Sequence, residues 1–237
     1  MAKKAKNSGT RRLWFKCLKA FLKLIIKRPQ YVYLGEEFAE KSIILSNHVG
    51  AKGPLSHELY FPKAFRFWGT YEMNMGLGEV YKYLSKTYYH EKKHWKLIWA
   101  RLFCLIAAPV AFLFYRGLKL IPTYRDSRLK KTFDISMKVL DEGLSLIIFP
   151  EDSHDGYHDE LKKFFPGFLV LAQQRLRRGE DLPIYLSYLN KRTGQYVIDK
   201  PILTSELLKD GKSREEIAEQ LRIRCNELGK MEFPKKK

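Results

Sequence analysis

The fold class is decided by residues 129–151, whose sequence is LKKTFDISMKVLDEGLSLIIFPE. Residues 129–142 place apolar side chains on one face at helical spacing, and Gly143 supplies the glycine that follows many helices. Residues 145–149 are a continuous apolar run, which is typical of a strand buried on both faces. A helix that leads directly into a buried strand is typical of α/β proteins with a parallel sheet.

The segments on either side of this unit repeat the alternation of strands and helices. Further strands are predicted at residues 31–34, 42–46, 65–68, 117–122, 183–189 and 196–198, and further helices at residues 168–178 and 213–228. Ser213 and Glu216 form the capping-box pattern that opens the last of these helices. The sequence therefore predicts an α/β fold, a single domain with a mixed, mostly parallel sheet flanked by helices.

Polar side chains follow three of the predicted strands at the point where each strand ends. Asn47 and His48 follow the strand at 42–46, Tyr124 and Arg125 the strand at 117–122, and Glu151 the strand at 145–149. The carboxyl ends of parallel strands form the ligand-binding edge of an α/β sheet. A base, a cation and an acid at such an edge are a suitable set for group transfer. The alternatives are a loop histidine that only makes hydrogen bonds and an ion pair between Arg125 and Glu151.

The composition favours an anionic partner. Lys and Arg number 44 against 26 Asp and Glu, which gives the chain a formal net charge of +18. Such a field attracts nucleic acids, anionic membranes and phosphorylated substrates, and it does not choose between them. With 45% hydrophobic residues, the composition excludes a wholly disordered or collagen-like chain.

Residues 1–29 are predicted as a basic tail followed by an amphipathic helix at a membrane interface. This segment contains many Lys and Arg residues but no acidic residue. The residues predicted to face the membrane are Trp14, Phe15, Leu18, Phe21 and Ile25. Aromatic and apolar side chains on one face, with lysines largely on the other, favour binding to anionic lipids. The alternative is a core helix with a solvated basic face.

A second apolar stretch covers residues 97–115, with Arg101 inside it and Pro109 near its middle. Its uncharged part, residues 102–115, is shorter than the roughly 20 residues that a membrane-spanning helix needs. We therefore expect a re-entrant or interfacial hairpin, or a buried helix, rather than a membrane span.

Neither the cysteines nor the histidines predict a metal site. The three cysteines are odd in number and far apart in the sequence, which predicts no disulfide framework and fits a reducing cytosolic environment. His154 and His158 lie four residues apart among acidic residues at 152–160. Because Gly156 and the clustered acids favour a turn, we interpret this segment as a solvated acidic loop without metal.

Four blocks of the sequence, taken together, resemble the glycerophospholipid acyltransferase (PlsC-like) family. Ser46-Asn47-His48 is similar to the start of the family's Asn-His-x4-Asp block, and residues 117–125, GLKLIPTYR, resemble its second block. Phe149-Pro150-Glu151, with the Phe-x-x-Gly of residues 164–167, resembles the third block, and Leu182-Pro183-Ile184 resembles the fourth. The resemblance spans residues 30–228 and implies a PlsC-like domain at 30–237, with an insertion near 75–104.

The resemblance implies transfer of a fatty acyl group from a thioester, acyl-CoA or acyl-carrier protein, to a hydroxyl of a lysophospholipid or related lipid acceptor. His48 would be the general base, with Asn47 beside it in the catalytic set. The residues implied to bind substrate are Arg125, Glu151, Ser153, Lys162, Lys163 and Gly167. No cofactor is implied beyond the thioester co-substrate. The protein would be peripheral or monotopic on the cytoplasmic face of the cell membrane.

Two departures from the family pattern concern the site. Gly53 stands where the family has the Asp that orients the imidazole. Glu58 is the side chain proposed to substitute for it, although a backbone carbonyl or a water is favoured over Glu58. Asp152, Ser153 and His154 replace the family's Gly-Thr-Arg, a block associated with the acceptor's phosphate. A cation is therefore lost from this block and an anion is gained.

Two other functions stay open at this stage. A relative of the acyltransferases that binds lipid or thioester without turnover would explain the missing Asp. A basic nucleic-acid-binding protein would use the aromatic and basic residues at 81–99 for stacking and phosphate contacts. The sequence contains no recognisable nucleic-acid-binding signature, so no nucleic acid is expected among the partners.

Overall fold

The computed structural model describes residues 11–124 and 126–234, and within them the chain forms one sheet flanked by helices. The strands are β1 (Gln30–Tyr33), β2 (Ile43–Ser46), β3 (Phe65–Thr70), β4 (Ile121–Thr123), β5 (Ser145–Ile148), β6 (Pro183–Asn190), β7 (Gln195–Ile198) and β8 (Ile202–Leu203). The α-helices are α1 (Leu13–Ile25), α2 (Lys52–Tyr60), α3 (Leu77–Lys82), α4 (Leu97–Leu118), α5 (Leu129–Asp141), α6 (Gly167–Arg177), α7 (Thr204–Leu208) and α8 (Arg214–Lys230). A 3₁₀ turn (Tyr71–Asn74) precedes α3, and a π-helix (Tyr83–Lys92) follows it.

The sheet has the order β1-β7-β6-β2-β5-β3-β4, and β8 pairs with β6. Five pairings are parallel, whereas β6 pairs with β7 and β8 in the antiparallel sense. The prediction of a mixed, mostly parallel α/β sheet is confirmed. The central strands β2 and β5 are buried along their whole length, as their continuous apolar sequences require once helices cover both faces.

The helices at 129–141 and 214–230 also agree with their sequence signals. Gly143 has φ +79° and its N–H bonds to the carbonyl of Leu140, which closes the end of α5. Ser213 and Glu216 make the reciprocal capping box that opens α8. Several short elements escaped prediction, among them helix α2, and the residues Gly117 and Leu118 were expected in a strand. Those two residues complete the last turn of α4, and β4 begins only after Lys119 has ended the helix in the left-handed region at φ +50°.

The apolar stretch at 97–115 is neither a hairpin nor a buried helix. It lies within α4, a continuous helix of 22 residues with Pro109 in its interior and most of its surface exposed. The prediction failed because it ended the apolar segment at Arg101 and Arg116, whereas the helix continues through both positions with their side chains exposed. Within the described residues, α4 is the one helix long and apolar enough to cross a membrane.

The N-terminal helix α1 lies where the sequence predicted it, but it presents its side chains differently. Trp14, Phe21 and Ile25 are exposed, and Leu18 is half-buried. Phe15 was wrongly assigned to the membrane interface, because its ring is fully buried. The ring packs on Gly117, where any side chain would overlap it. Membrane contact through the exposed residues of α1 stays a prediction.

Candidate functional site

The candidate site begins where β2 ends, in the middle of the sheet. Asn47 follows the last residue of β2, and its side-chain amide pairs with the peptide groups of Leu189 on β6. Asn47 Nδ2 donates to the Leu189 carbonyl at 3.1 Å, and the Leu189 N–H donates to Asn47 Oδ1 at 2.7 Å. The side chain therefore fixes the chain that leaves the sheet. A catalytic role for Asn47 stays a prediction, and both of these contacts are with the backbone of β6.

His48 is held by a carboxylate from the neighbouring strand. Its backbone N–H donates to Glu151 Oε1 at 2.9 Å, and Glu151 follows β5, the strand beside β2. Burial raises the pKa of Glu151 to about 7, although the His48 N–H and the charge of Lys92 oppose this shift. The structure therefore brings together the polar ends of β2 and β5, as the sequence predicted.

The imidazole of His48 lies between two aromatic rings. The Tyr157 ring stacks on it at a centroid distance of 4.6 Å, and the Phe149 ring lies tilted at 4.7 Å. Burial lowers the pKa of His48 to about 4, a backbone hydrogen bond at Gly50 opposes the shift, and the charge of Lys92 adds to it. The imidazole is therefore neutral at pH 7, which is the state a general base requires.

The position of the family's Asp is occupied by backbone. The Gly53 N–H donates to the His48 carbonyl at 3.2 Å, and a Cβ at Gly53 would overlap that same carbonyl oxygen. The hydroxyl of Tyr196 on β7 donates to the Gly53 carbonyl at 3.0 Å and fixes this turn against the sheet. A side chain at position 53 is incompatible with the observed path of the chain. Among the described residues, none makes a hydrogen bond to His48 Nδ1.

Glu58 does not substitute for the missing Asp. Its buried carboxylate accepts hydrogen bonds from Arg11 at 2.7 Å and 3.0 Å and from Lys19 at 2.9 Å. Glu58 lies on the side of α2 that faces α1, so it joins the N-terminal helix to the domain instead of orienting His48. Sequence spacing did not reveal this, because it does not show which way a short helix turns.

Helix α2 carries a second histidine close to the site, His57, which sequence reasoning missed. His57 is fully buried, and its Nε2 lies 3.1 Å from the hydroxyl of Ser46 at the end of β2. Burial lowers the pKa of His57 to about 3. Its ring also packs at 4.3 Å from the Tyr196 ring, so His57 is a neutral part of the core below the chain that carries His48.

The π-helix brings a cation to the site that sequence reasoning also missed. Lys92 Nζ donates to the Ser153 hydroxyl at 2.7 Å and lies 5.4 Å from the centre of the Tyr157 ring. Lys93 Nζ lies 6.0 Å from the same ring. π-helical turns are rare and occur often at functional sites. The basic, aromatic character of the segment near 75–104 was visible in the sequence, but its contact with Ser153 was not.

The other predicted substrate-binding residues are less closely joined to His48. Lys162 Nζ lies 3.9 Å from Asp155, and Lys163 Nζ lies over the Phe165 ring at 5.6 Å. Gly167 begins α6. Arg125 lies outside the described residues. Both lysines therefore contact residues of their own loop, whereas Glu151 and Ser153 belong to the group around His48.

The segment at 152–160 stays without a metal interpretation. His154 Nδ1 lies 3.3 Å from Asp155, and both side chains are exposed. Across residues 11–124 and 126–234, no group of three or more potential metal ligands gathers.

Comparisons with known proteins identify no relative, since no family model and no curated protein matches the chain. The functional interpretation therefore depends on the motifs and on the geometry described above.

An aspartate at position 53, as in the family that the sequence resembles, should destabilise the protein. We expect Gly53→Asp to lower the free energy of unfolding by about 1–3 kcal/mol, because its Cβ overlaps the His48 carbonyl. Gly76→Asp is the matched control, since Gly76 precedes α3 with open space around it, where an aspartate caps a helix well. Urea unfolding of the two variants measures the difference. Equal stability of the two variants would contradict the close approach at Gly53.

The raised pKa of the half-buried Glu151 carboxyl predicts a pH dependence of stability. Between pH 4.5 and about 7, Glu151 is ionised in the unfolded state but keeps its proton in the folded state. The unfolded state is therefore favoured more as the pH rises, and the free energy of unfolding of the wild type falls. The stability of Glu151→Gln relative to the wild type should therefore rise by up to about 3 kcal/mol across this range and stay constant above it. His48 and His57 are common to both proteins, so their titration cancels in the difference.

Urea unfolding at a series of pH values tests this expectation, with Glu79→Gln at an exposed site on α3 as the control. If the relative stability of Glu151→Gln were the same at pH 4.5 and pH 7, the carboxyl would not be buried as described.

Proposed function

We propose that the protein transfers an acyl group from a thioester, acyl-CoA or acyl-carrier protein, to a hydroxyl group of a lysophospholipid or related lipid. The observation that carries the proposal is the neutral, half-buried imidazole of His48 beside Glu151 at the carboxyl ends of neighbouring parallel strands. This arrangement fits the order of motifs by which the sequence resembles the PlsC-like acyltransferases.

In the proposed reaction His48 acts as a general base. Its imidazole takes the proton of the acceptor hydroxyl while the hydroxyl oxygen attacks the thioester carbonyl. The tetrahedral intermediate then collapses, the carbon–sulfur bond breaks, and the imidazolium returns the proton to the leaving thiolate. The products are an ester and a free thiol, with no acyl-enzyme and no cofactor. Asn47 and Glu151 act by fixing the backbone of His48.

Tyr157 limits the direction from which a substrate approaches His48. Its ring covers one face of the imidazole, and the Phe149 ring lies against the imidazole as well. An acceptor must therefore reach a ring nitrogen at the edge of the imidazole or displace Tyr157. This enclosure also supports the second candidate, a lipid-binding relative without turnover.

The charge near His48 supports an anionic acceptor. Lys92 supplies a cation beside Ser153, in the block where the family's arginine is replaced by His154. Lys93 adds a second positive charge against Tyr157. We propose that the ammonium of Lys92 binds the phosphate of the acceptor, because a charge-assisted hydrogen bond to phosphate is among the stronger polar contacts.

The proposed location is the cytoplasmic face of the cell membrane, with the protein peripheral or monotopic. The exposed Trp14, Phe21 and Ile25 of α1 would enter the interface of an anionic bilayer. The net charge of +18 would add electrostatic attraction to the anionic head groups.

The test is release of free thiol from acyl thioesters in the presence of lysophospholipid acceptors. We expect wild-type protein to release thiol only when an acceptor is present, and His48→Ala to lose at least about a hundredfold in rate because a general base is removed. His158→Ala, at an exposed histidine outside the site, is the matched control and should retain the wild-type rate.

Equal rates for His48→Ala and His158→Ala would contradict the assignment of His48. Absence of thiol release with every acceptor, together with binding of lysophospholipid, would favour the relative that binds lipid without turnover.

Lys92→Met should separate acceptor binding from chemistry. We expect its KM for a phosphorylated acceptor to rise about tenfold with little change in kcat, because a charge-assisted contact is lost. The KM for an uncharged acceptor should stay unchanged. Lys86→Met, an exposed position on the same π-helix, is the matched control. An equal rise in KM for both acceptors would contradict recognition of the phosphate by Lys92.

A further inference from the structure

Helix α4 has one packed face and one apolar face that no described residue covers. Ala100, Cys104 and Ala108 recur every four residues and are fully buried beside Val80 of α3 and Leu84 of the π-helix. The opposite face carries exposed side chains at Trp99, Leu102, Leu105, Ile106, Val110 and Leu113. Ile106, at the centre of this face, is 78% exposed. Six exposed apolar side chains that share one face of a helix form the kind of patch that marks an interaction site.

Both ends of α4 are fixed to the same domain. Before its first turn, Lys92 and Lys93 contact Tyr157 in the loop after β5. At its last turn, Gly117 receives the Phe15 ring, and the carbonyl of Leu118 accepts a hydrogen bond from Arg11. The helix is about 33 Å long at the usual rise per residue. Because both ends of α4 are held by the same domain, a path of α4 across a bilayer would place parts of that domain on opposite sides of the membrane.

Helix α1 packs against α4 and carries exposed apolar side chains of its own. The rings of Phe15 and Phe114 pack at 5.4 Å, which joins the two helices. On α1 the outward-facing apolar residues are Leu13, Trp14, Phe21, Leu24 and Ile25. Neither helix contains an acidic residue, whereas Lys16, Lys23, Arg101 and Arg116 are exposed on them. Such a surface matches the apolar interior and anionic head groups of a membrane.

We propose that α4, together with α1, enters one leaflet of an anionic bilayer and lies in the plane of the membrane. The apolar face of α4 is the larger part of this surface, so α1 is not the sole anchor. The inference rests on the proposed membrane association and does not depend on acyl transfer. Lys92 and Lys93 precede α4 and contact Tyr157, whose ring stacks on His48. With both helices in the leaflet, the His48 site would therefore lie near the lipid head groups.

Vesicle binding provides the first test. Full-length protein is sedimented with vesicles of phosphatidylcholine, alone or mixed with phosphatidylglycerol. We expect binding to the mixed vesicles, and a loss of at least about tenfold in the partition coefficient for Ile106→Glu, since a carboxylate would enter the hydrocarbon. Ile223→Glu makes the same change on α8, where Ile223 is 47% exposed, and should bind as the wild type does.

The depth of α4 provides the second test. A spin label is placed at Trp99→Cys, Ile106→Cys or Leu113→Cys in a Cys17→Ser background, because Cys104 and Cys225 are buried. Helix α4 in the plane of the membrane predicts equal, shallow depths for the three labels, measured by oxygen and nickel accessibility. A label at Ile223→Cys should stay in water.

Three results would overturn the inference. The first is wild-type binding by Ile106→Glu. The second is a label at Ile106→Cys much deeper than the other two, which would mean a membrane span. The third is a wild-type oligomer that Ile106→Glu dissociates without any change in vesicle binding, which would assign the face to a second copy. Thiol release with a short-chain, water-soluble acceptor, measured without vesicles, reports on the proposed chemistry separately.

Discussion

Where the pairing of β2 with β6 ends, buried peptide groups of His48 just beyond β2 and of Leu189 on β6 need other hydrogen-bond partners, and the candidate site is made from the groups that supply them. Asn47 supplies a donor and an acceptor to the Leu189 peptide, Glu151 accepts the N–H of His48, and Gly53 donates to the His48 carbonyl. Buried peptide groups rarely stay unpaired, because a buried donor or acceptor without a partner costs about 1–3 kcal/mol of stability. The orientation of His48 therefore follows from the needs of the backbone, and its imidazole is left between two aromatic rings.

The sequence predicted the parts of this arrangement that follow from strand order. A buried apolar strand followed by polar residues indicates the edge of a parallel sheet, and the polar residues after β2 and β5 do meet. It also predicted the ends of α5 and α8, where Gly143 and the Ser213 capping box act within a few residues of the chain. The meeting of the strand ends follows from a general rule for parallel sheets, whereas the helix ends depend on signals within a few residues of the chain.

The contacts that sequence reasoning missed join distant segments through side-chain direction. Lys92 reaches Ser153 across 61 residues, and Arg11 reaches Glu58 across 47. Phe15 was expected in the membrane because it shares a helix with exposed aromatic residues, but the absence of a side chain at Gly117 creates the place where its ring is buried. The apolar content of α4 was visible, whereas the side of α4 that the domain covers depends on α3 and the π-helix. Periodicity shows that a helix has two faces, but tertiary contacts decide which face is covered.

The ion pairs of Glu58 have a consequence for how the protein tolerates shortening. Its carboxylate has no solvent contact, and the two cations that neutralise it, Arg11 and Lys19, both come from the N-terminal segment. A buried charge deprived of its partners typically destabilises a protein by several kcal/mol. A chain trimmed to begin after α1 would thus keep a negative charge in its interior without its present neutralisers. Such a chain would be less stable than the intact protein, and the loss of α1 would change more than membrane binding. Proteolytic removal of α1 would therefore favour unfolding of the rest of the domain.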